Sequence, residues 1–304
     1  MLDSLPEALI NRALKGAIAL SALSLLGFGA FYYIDRYHPA AAQVEDQLLR
    51  QLEAQVIQDP QNPGARVRVA WAYLDQKMVE QALIQFDEAL KLREDYQAAL
   101  IGKGTAYVRK GSLNAALPPL ERVAELNQEN FFRKTLRELQ PVYYHLGTIY
   151  AAQGRGEKAI GAFKEALEID RVDADSLYGL AMVYLAQGDL EQARPNLELA
   201  VRLDPVFADG HRALAGIYER LGMAGNSLLA RAMVSYSEAR YDEALGLLDQ
   251  ARALAPEVGE VDQALGLVYD KKGQPAEAVA AYRTALAKDP QLALAQGAVA
   301  RARP

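Results

Sequence analysis

The side chains that most often carry catalysis or bind metals are few in this sequence and far apart. The three histidines, His38, His145 and His211, do not form an H-E-x-x-H or similar metal-binding spacing. Gly102–Thr105 (GKGT) looks similar to a phosphate-binding loop, but it lacks the G-x-x-x-x-G-K-[ST] spacing and lies inside a predicted helix. The chain has no cysteine, which excludes disulfides, thiolate catalysis and thiolate zinc sites. We therefore predict that the protein is not an enzyme and has no cofactor, metal or small-molecule substrate.

The composition favours a helical protein that binds other proteins. Hydrophobic residues make up 51% of the chain, and alanine and leucine, both strong helix formers, dominate them. The net charge of −6 is modest and mixed in sign along the chain, which argues against nucleic acid as a partner because nucleic-acid binders usually carry a basic face.

A fixed period of 34 residues runs through the middle of the chain. Four positions show it, since Tyr150 recurs as Tyr184, Gly154 as Gly188, Ala159 as Ala193 and Ala166 as Ala200. A period of this size is typical of stacked repeat arrays, which grow by adding units and have no single core.

Each unit combines a small residue and tyrosine on a first helix, glycine at the turn, and alternating small and large apolar residues on a second helix. The clearest copies are Leu146, Gly147, Tyr150, Gly154, Ala159, Phe163 and Ala166, and Leu265, Gly266, Tyr269, Gly273, Ala278, Tyr282 and Ala285. This pattern resembles the tetratricopeptide repeat (TPR) family. The resemblance implies an all-α TPR solenoid, a right-handed superhelix of antiparallel helix pairs, over residues 63–291. We place units near residues 63, 97, 140, 174, 225 and 259, with a half-unit at 208.

Small residues are expected where two helices cross closely, and the aromatic residues fill the gaps between neighbouring pairs. The turn glycines end the first helices in a left-handed conformation. We therefore interpret the repeat tyrosines as packing residues. We also expect residues 43–62 and 292–304 to form capping helices at the two ends of the array.

Two departures interrupt the period. The distance from Tyr107 to Tyr150 is 43 residues, and the excess lies in Phe131–Leu139, which is either an extra turn packed on its neighbour or a binding feature made by Phe131, Phe132 and Arg133. The distance from Tyr218 to Tyr269 is 51 residues, or one and a half periods, which predicts a distorted junction.

The N-terminal region contains an apolar run that is long enough to cross a membrane. Gly16–Ile34 has 19 residues without a charge, which as a helix spans about 28 Å. We predict a tail over 1–12, a transmembrane helix over 13–34 and a linker over 35–42. A cleaved signal peptide is the alternative, because Ala40–Ala42 is similar to a cleavage site.

The flanking charges and the small residues of the predicted span suggest its orientation and its packing. Arg12 and Lys15 precede the span and only Arg36 follows closely, which favours a single-pass membrane protein with a cytoplasmic N-terminus and the array on the extracytoplasmic (periplasmic) side. Small residues on one face allow close helix packing in lipid, unless they only reflect the general abundance of alanine and serine. The residues concerned are Ala17, Ser21 and Ser24.

The first helices of a TPR array line its concave surface, so their outward residues are candidate contacts for a partner protein. The candidates are Arg68, Trp71, Leu74, Ile101, Arg109, Tyr144, His145, Tyr178, Met182, Met233 and Tyr236. This largely apolar strip lacks the lysine and asparagine clamp with which some TPR proteins hold acidic tails, and it suits a helix or an apolar segment. Trp71 is the first choice for a contact, with packing on the helix at 43–58 as the alternative.

These features favour a non-catalytic, membrane-anchored TPR scaffold that mediates protein–protein interaction. We expect it to be an accessory or assembly subunit of a larger membrane complex, with other protein subunits, chiefly membrane proteins, as partners. The alternative is an extracytoplasmic chaperone-like factor that holds apolar segments of client proteins.

Overall fold

The structure is a computed structural model that describes residues 47–302. Within this range all regular secondary structure is helical and no strand is present. The chain divides into two compact units at Lys110 and Gly111, so the described residues form one unit over 47–110 and a second over 111–302.

The first unit contains four helices. They are α1 (47–58), α2 (Pro63–Asp75), α3 (Val79–Leu92) and α4 (Gln97–Arg109). Helix α2 begins after Asn62, whose side chain accepts a hydrogen bond from the amide of Ala65 at 3.1 Å, which satisfies one of the free amides of the first turn. The core of this unit is built around Phe86, which is fully buried among small and apolar residues of α2, α3 and α4.

The second unit contains eleven α-helices and a short 3₁₀ turn. They are α5 (Leu113–Asn127), the 3₁₀ turn (Arg133–Thr135), α6 (Leu139–Ala152), α7 (Gly156–Ile169), α8 (Ala174–Ala186), α9 (Leu190–Leu203), α10 (Ala208–Arg220), α11 (Ala224–Ser237), α12 (Tyr241–Leu254), α13 (Gly259–Lys271), α14 (Pro275–Lys288) and α15 (Ala293–Arg301). Helices α6 and α7, α8 and α9, and α13 and α14 pack as neighbouring pairs.

The small and large residues of the repeat interlock as the sequence predicts. Phe163 of α7 is 1% exposed and lies between two glycines, Gly147 of α6 and Gly179 of α8. A Cβ atom would lie 2.8 Å from the Phe163 ring at Gly147 and 2.5 Å from it at Gly179. Glycine at these positions therefore provides the space that the aromatic ring occupies.

The turns between paired helices adopt the left-handed conformation. Five glycines have positive φ: Gly111, Gly154, Gly188, Gly222 and Gly273, with values from 70° to 80°. Two other turns use non-glycine residues in the same conformation, Lys77 at 61° and Ala239 at 59°. The left-handed glycine turn is confirmed, and at Lys77 and Ala239 the backbone geometry is kept although glycine is absent.

The chain departs from simple pairing over α10–α12. Helix α11 packs about as extensively against α10 as against α12, whereas in the preceding segment α7 packs more extensively against α6 than against α8. The half-unit predicted at 208 and the unit predicted at 225 lie on this stretch of sequence.

Several predictions on the chain termini lie outside the described residues. These are the tail 1–12, the transmembrane helix 13–34 with Ala17, Ser21 and Ser24, and the linker 35–42. Over residues 47–302, no helix combines the length and the apolar character needed to cross a bilayer. The regions predicted as caps contain α1 and α15, and α15 packs against α14.

Candidate functional site

The predicted contact residues of the first unit differ in their exposure. Arg68 is exposed and donates a hydrogen bond to the Gln55 side chain at 3.1 Å, while Trp71 is half-buried with its ring 5.8 Å from Phe86 in an edge contact. Leu74 is 1% exposed, so its assignment to a solvent-facing strip is wrong. Its side chain packs in the core against α3, a contact that the periodicity of α2 alone does not show.

The other two candidates of the first unit lie on α4. Ile101 is half-buried and Arg109 is exposed. The Arg109 guanidinium donates to the carbonyl of Leu74 at 2.9 Å and lies 4.0 Å from Asp75. Arg109 therefore also holds the end of α2, in addition to presenting a charge at the surface.

In the second unit, the candidates on α6 and α8 remain accessible. Tyr144 and His145 are half-buried with their rings 5.4 Å apart, and Tyr178 is half-buried with its ring 5.0 Å from Phe207. Met182 is exposed. These four residues are available for contact with a partner, which keeps the predicted strip over α6 and α8 as a candidate surface.

The two candidates on α11 are buried. Tyr236 is 7% exposed and belongs to the core formed by α11, α12 and α13, so its assignment as a surface contact is wrong. Met233 is 3% exposed and belongs to the same core, but it also lines a cavity described below. Burial here results from α12 and α13 packing over α11.

The insert before α6 presents two aromatic rings and is held by ion pairs. Phe131 is 91% exposed and Phe132 is 64% exposed, with the two rings 5.3 Å apart in an edge contact. Arg133 lies 3.4 Å from Glu165 of α7, and Lys134 forms an ion pair with Glu168, one turn further along α7. The basic residues thus anchor the insert, while both phenylalanines face solvent.

The repeat tyrosines make a polar contact in addition to their packing. The hydroxyl of Tyr73 donates to Glu53 of α1 at 2.6 Å, and that of Tyr150 donates to Glu121 of α5 at 2.7 Å. Burial and the neighbouring carboxylate raise the pKa of each of these two tyrosines to about 12. The hydroxyls are thus kept protonated as donors that join one helix pair to the helix before it.

A cavity of about 410 Å³ lies in the second unit where the period breaks; we call it the C-terminal cavity. It is lined by residues of α9, α10, α11 and α13 and by the segment that leads into α15. Its apolar lining includes Leu214, Leu229, Met233, Leu267 and Leu292. A largely apolar concave site with a few polar groups is the usual form of a binding site.

The lining of the C-terminal cavity includes three acidic residues, Glu198, Glu260 and Asp289, and one basic residue, Arg202. Arg194 lies outside the lining, with its guanidinium 3.9 Å from Glu198. The Tyr218 hydroxyl donates to Glu198 at 3.0 Å. Burial, followed by the charge of Glu198 and with a smaller effect of Glu260, raises the pKa of Tyr218. Both glutamates therefore act on the same hydroxyl from within the lining.

The lining also contains uncharged polar side chains, namely those of His211, Asn226, Gln263 and Gln291. His211 is 8% exposed, and its Nε2 lies 3.0 Å from the carbonyl of Pro205, where it donates if it carries the proton. Burial lowers the pKa of His211, which keeps the ring neutral near pH 7. The Oε1 atom of Gln263 is buried and has no hydrogen-bond partner among the described residues.

Sequence reasoning did not identify Glu198, Glu260, Gln263 or Asp289 as site residues. The long spacing from Tyr218 to Tyr269 was the available signal, since it marks the segment in which the cavity lies. Over the described residues no group of three or more histidine, cysteine, aspartate or glutamate side chains is placed to hold a metal ion.

Comparison with protein-family models identifies the class of protein. Three models described as tetratricopeptide repeat match residues 70–131, 138–205 and 263–292, and together they cover just over half of the chain. The chain belongs to the tetratricopeptide repeat family. Members of this family generally mediate protein–protein interaction and scaffolding, and they are typically non-catalytic.

Solved structures with a similar arrangement share little sequence with this chain. A chain of the APC/C hetero-tetramer Cut9-Hcn1 is 20% identical with a TM-score of 0.46, and the match covers 86% of this chain and 46% of that one, so this chain spans less than half of that protein. YrrB, described as a TPR protein with an unusual peptide-binding site, is 19% identical with a TM-score of 0.47, and the match covers 73% of this chain and 97% of YrrB. PilF of Pseudomonas aeruginosa is 16% identical with a TM-score of 0.42, and the match covers 79% of this chain and 97% of PilF. A search of curated proteins found no match.

Proposed function

We propose that this protein is a non-catalytic, membrane-anchored TPR scaffold that acts as an accessory or assembly subunit of a larger membrane protein complex. The observation that supports binding most directly is the C-terminal cavity, whose lining combines apolar side chains with three acidic residues. Such a site binds part of a protein segment by burying its side chains.

The proposed anchor is the helix predicted over residues 13–34, with the array on the extracytoplasmic side. Its support is the uncharged run Gly16–Ile34 and the position of Arg12 and Lys15 before it. Tethering the array to the bilayer raises the local concentration of membrane partners without any further contact.

A second function, an extracytoplasmic chaperone-like factor, is favoured by one further observation. Phe131 and Phe132 are both largely exposed on the insert, and exposed aromatic pairs bind apolar segments of many sequences. Such a factor holds many clients transiently, whereas a subunit holds one partner at a fixed ratio.

Purification of the full-length chain in mild detergent, followed by mass spectrometry of the bound proteins, distinguishes the two functions. We expect one or a few membrane proteins at a fixed ratio. Many proteins at low ratio support the chaperone function, and recovery of the monomeric chain alone contradicts both. A variant with Phe131→Ser and Phe132→Ser tests the insert, since it reduces chaperone-like capture and leaves a partner held in the cavity.

A further inference from the structure

We infer that the C-terminal cavity binds an apolar protein segment that carries a lysine or arginine side chain beside its apolar residues. The inference rests on the proposed function, because it takes protein binding as given and names the chemistry of the segment. Three features of the cavity lining support this inference: its shape, its polarity and its charge.

The shape of the cavity follows from the break in the repeat. In this segment α11 lies between α10 and α12, and the lining then comes from α9 on one side and from α13 and the segment before α15 on the other. The volume of about 410 Å³ lies at the lower end of the ~300–1,000 Å³ range of ligand pockets. It therefore accommodates a few side chains of a protein segment.

The apolar part of the lining selects apolar side chains. Leu214 of α10, Leu229 of α11 and Leu267 of α13 come from three different helices and face the same space. An apolar side chain that enters this space loses its contact with water, which is favourable in proportion to the area removed.

The charged part of the lining consists mainly of carboxylates, from Glu198, Glu260 and Asp289. Glu198 accepts from the Tyr218 hydroxyl at 3.0 Å, and Asp289 accepts from the amide of Gln291 at 2.8 Å. The Gln263 Oε1 atom is a buried acceptor without a partner among the described residues.

The tautomer of His211 that donates to Pro205 through Nε2 offers an acceptor at its other ring nitrogen. Against these groups stand the guanidinium of Arg202 in the lining and that of Arg194, which lies outside it at 3.9 Å from Glu198, so three carboxylates exceed two guanidinium groups. A cationic donor on the ligand satisfies the lining, and an acidic ligand is repelled by it.

The test compares three short fluorescent peptides that share the same leucine positions and differ at the flanking residues, which are lysine, glutamine or glutamate. Binding to the full-length chain in a nonionic detergent is followed by fluorescence anisotropy at low and moderate salt. We expect the lysine peptide to bind at least tenfold more tightly than the glutamate peptide, with a difference that shrinks as salt screens the charges.

The double variant Glu198→Gln/Glu260→Gln tests the charge without removing the acceptor for Tyr218. We expect about a tenfold loss of affinity for the lysine peptide and little change for the glutamine peptide. The matched control is Glu191→Gln/Glu277→Gln, two exposed glutamates in the first turns of α9 and α14 that do not line the cavity. The control is expected to bind as the unaltered chain does.

The variant Ala293→Trp tests the location of the site. Ala293 is exposed and lines the cavity at the start of α15, so tryptophan occupies the space without disturbing the core. We expect loss of binding of the lysine and glutamine peptides, whereas Ala276→Trp, at an exposed position in the first turn of α14, leaves binding unchanged.

Each alternative result overturns a defined part of the inference. Tight binding of the glutamate peptide overturns the charge of the ligand and leaves the protein-binding function in place. Binding of the lysine peptide that Ala293→Trp does not reduce overturns the cavity as the site. If none of the peptides binds while a partner still co-purifies at a fixed ratio, the inference fails and the proposed function stands.

Discussion

Two neighbouring parts of the second unit use the same repeat in different ways. The segment from α6 to α9 consists of two regular helix pairs, and its central residue is Phe163, held between Gly147 and Gly179. The segment from α10 to α12 has three helices in succession, and its core includes Tyr236 but no aromatic ring held between two glycines. The C-terminal cavity is lined by α10 and α11 of the irregular part together with α9 and α13.

The difference is visible in how the two segments divide volume between the same repeat positions. Units that start at 140 and 225 place Ala232 where the first regular unit has Gly147, and Leu248 where it has Phe163. The backbone confirms this register, because the amide of Arg240 donates to the carbonyl of Ser235 as that of Arg155 does to Tyr150. Ala232 and Leu248 are both fully buried in one core cluster. The irregular segment therefore uses alanine and leucine where α6 and α7 use glycine and a large ring, the same combination that α8 and α9 have at Ala181 and Leu197.

This comparison shows that the core of the repeat is kept where the period breaks. Alanine beside leucine divides the space that glycine leaves to an aromatic ring. Met233, the residue after Ala232, belongs to the same core and also lines the cavity, and methionine is a flexible side chain that fills irregular space. The break in the period thus adds an adaptable side chain beside the cavity and leaves the core of the unit in place.

The largest expected effect is on a double-mutant cycle that transfers the glycine–aromatic pair of α6 and α7 to the irregular segment. Ala232→Gly is expected to lower the free energy of unfolding by about 1 kcal/mol, because glycine is less favourable than alanine inside a helix. Leu248→Phe alone is expected to cost about 1–3 kcal/mol through overpacking. The double variant is expected to lose less than the sum by about 1–3 kcal/mol.

Urea denaturation of the four proteins measures the cycle. Additive losses contradict the idea that the two positions share one volume. The reverse pair, Gly147→Ala with Phe163→Leu, is the matched control in the regular segment, and there we expect a favourable coupling of similar size.

A smaller effect is expected at the turn that precedes α12. Ala239 has a φ of 59°, in a turn where the regular pair α8 and α9 has Gly188 at 80°. Ala239→Gly is expected to raise the free energy of unfolding by about 1 kcal/mol, since alanine in the left-handed conformation costs about 1–2 kcal/mol and part of the gain is lost to the flexibility of glycine. Gly188→Ala is expected to lower it by about 1 kcal/mol, and equal signs for the two changes are the result that contradicts this account.

The smallest expected effect is a dependence of stability on pH at His211. Because burial holds the pKa of His211 below its ordinary value of 6.5, the unfolded chain binds a proton before the folded chain does. The contribution to stability is therefore present above pH 6.5 and is lost as the pH falls toward the lowered pKa.

Chemical denaturation between pH 7.5 and pH 5 measures this dependence. We expect His211→Asn to flatten the decline by less than about 1.4 kcal/mol per pH unit. His145→Asn is expected to change the slope less, because His145 in the regular segment is half-buried whereas His211 is 8% exposed. An unchanged slope in His211→Asn is the contradicting result.

Much of the fold was predictable because the repeat encodes local geometry. Glycine at the turns predicted the left-handed conformation found at Gly154 and Gly188, and the small residues predicted the close approach found at Gly147. The candidate contacts were less predictable. Leu74 and Tyr236 lie on first helices as expected, yet neighbouring helices cover them, and the position of a residue on one helix does not show what packs over it.

By itself, the sequence determined the helical class, the 34-residue unit and the place where the period breaks, because these follow from the spacing of small, aromatic and turn-forming residues along the chain. Only the tertiary structure decided that the break carries a cavity and that Glu198, Glu260 and Asp289 line it together. The physical reason is distance in sequence. Glu198 lies on α9, Glu260 on α13 and Asp289 directly after α14, and the packing of the helices from α9 onward brings them to one space, while the local pattern at each residue remains that of an ordinary solvent-facing acid.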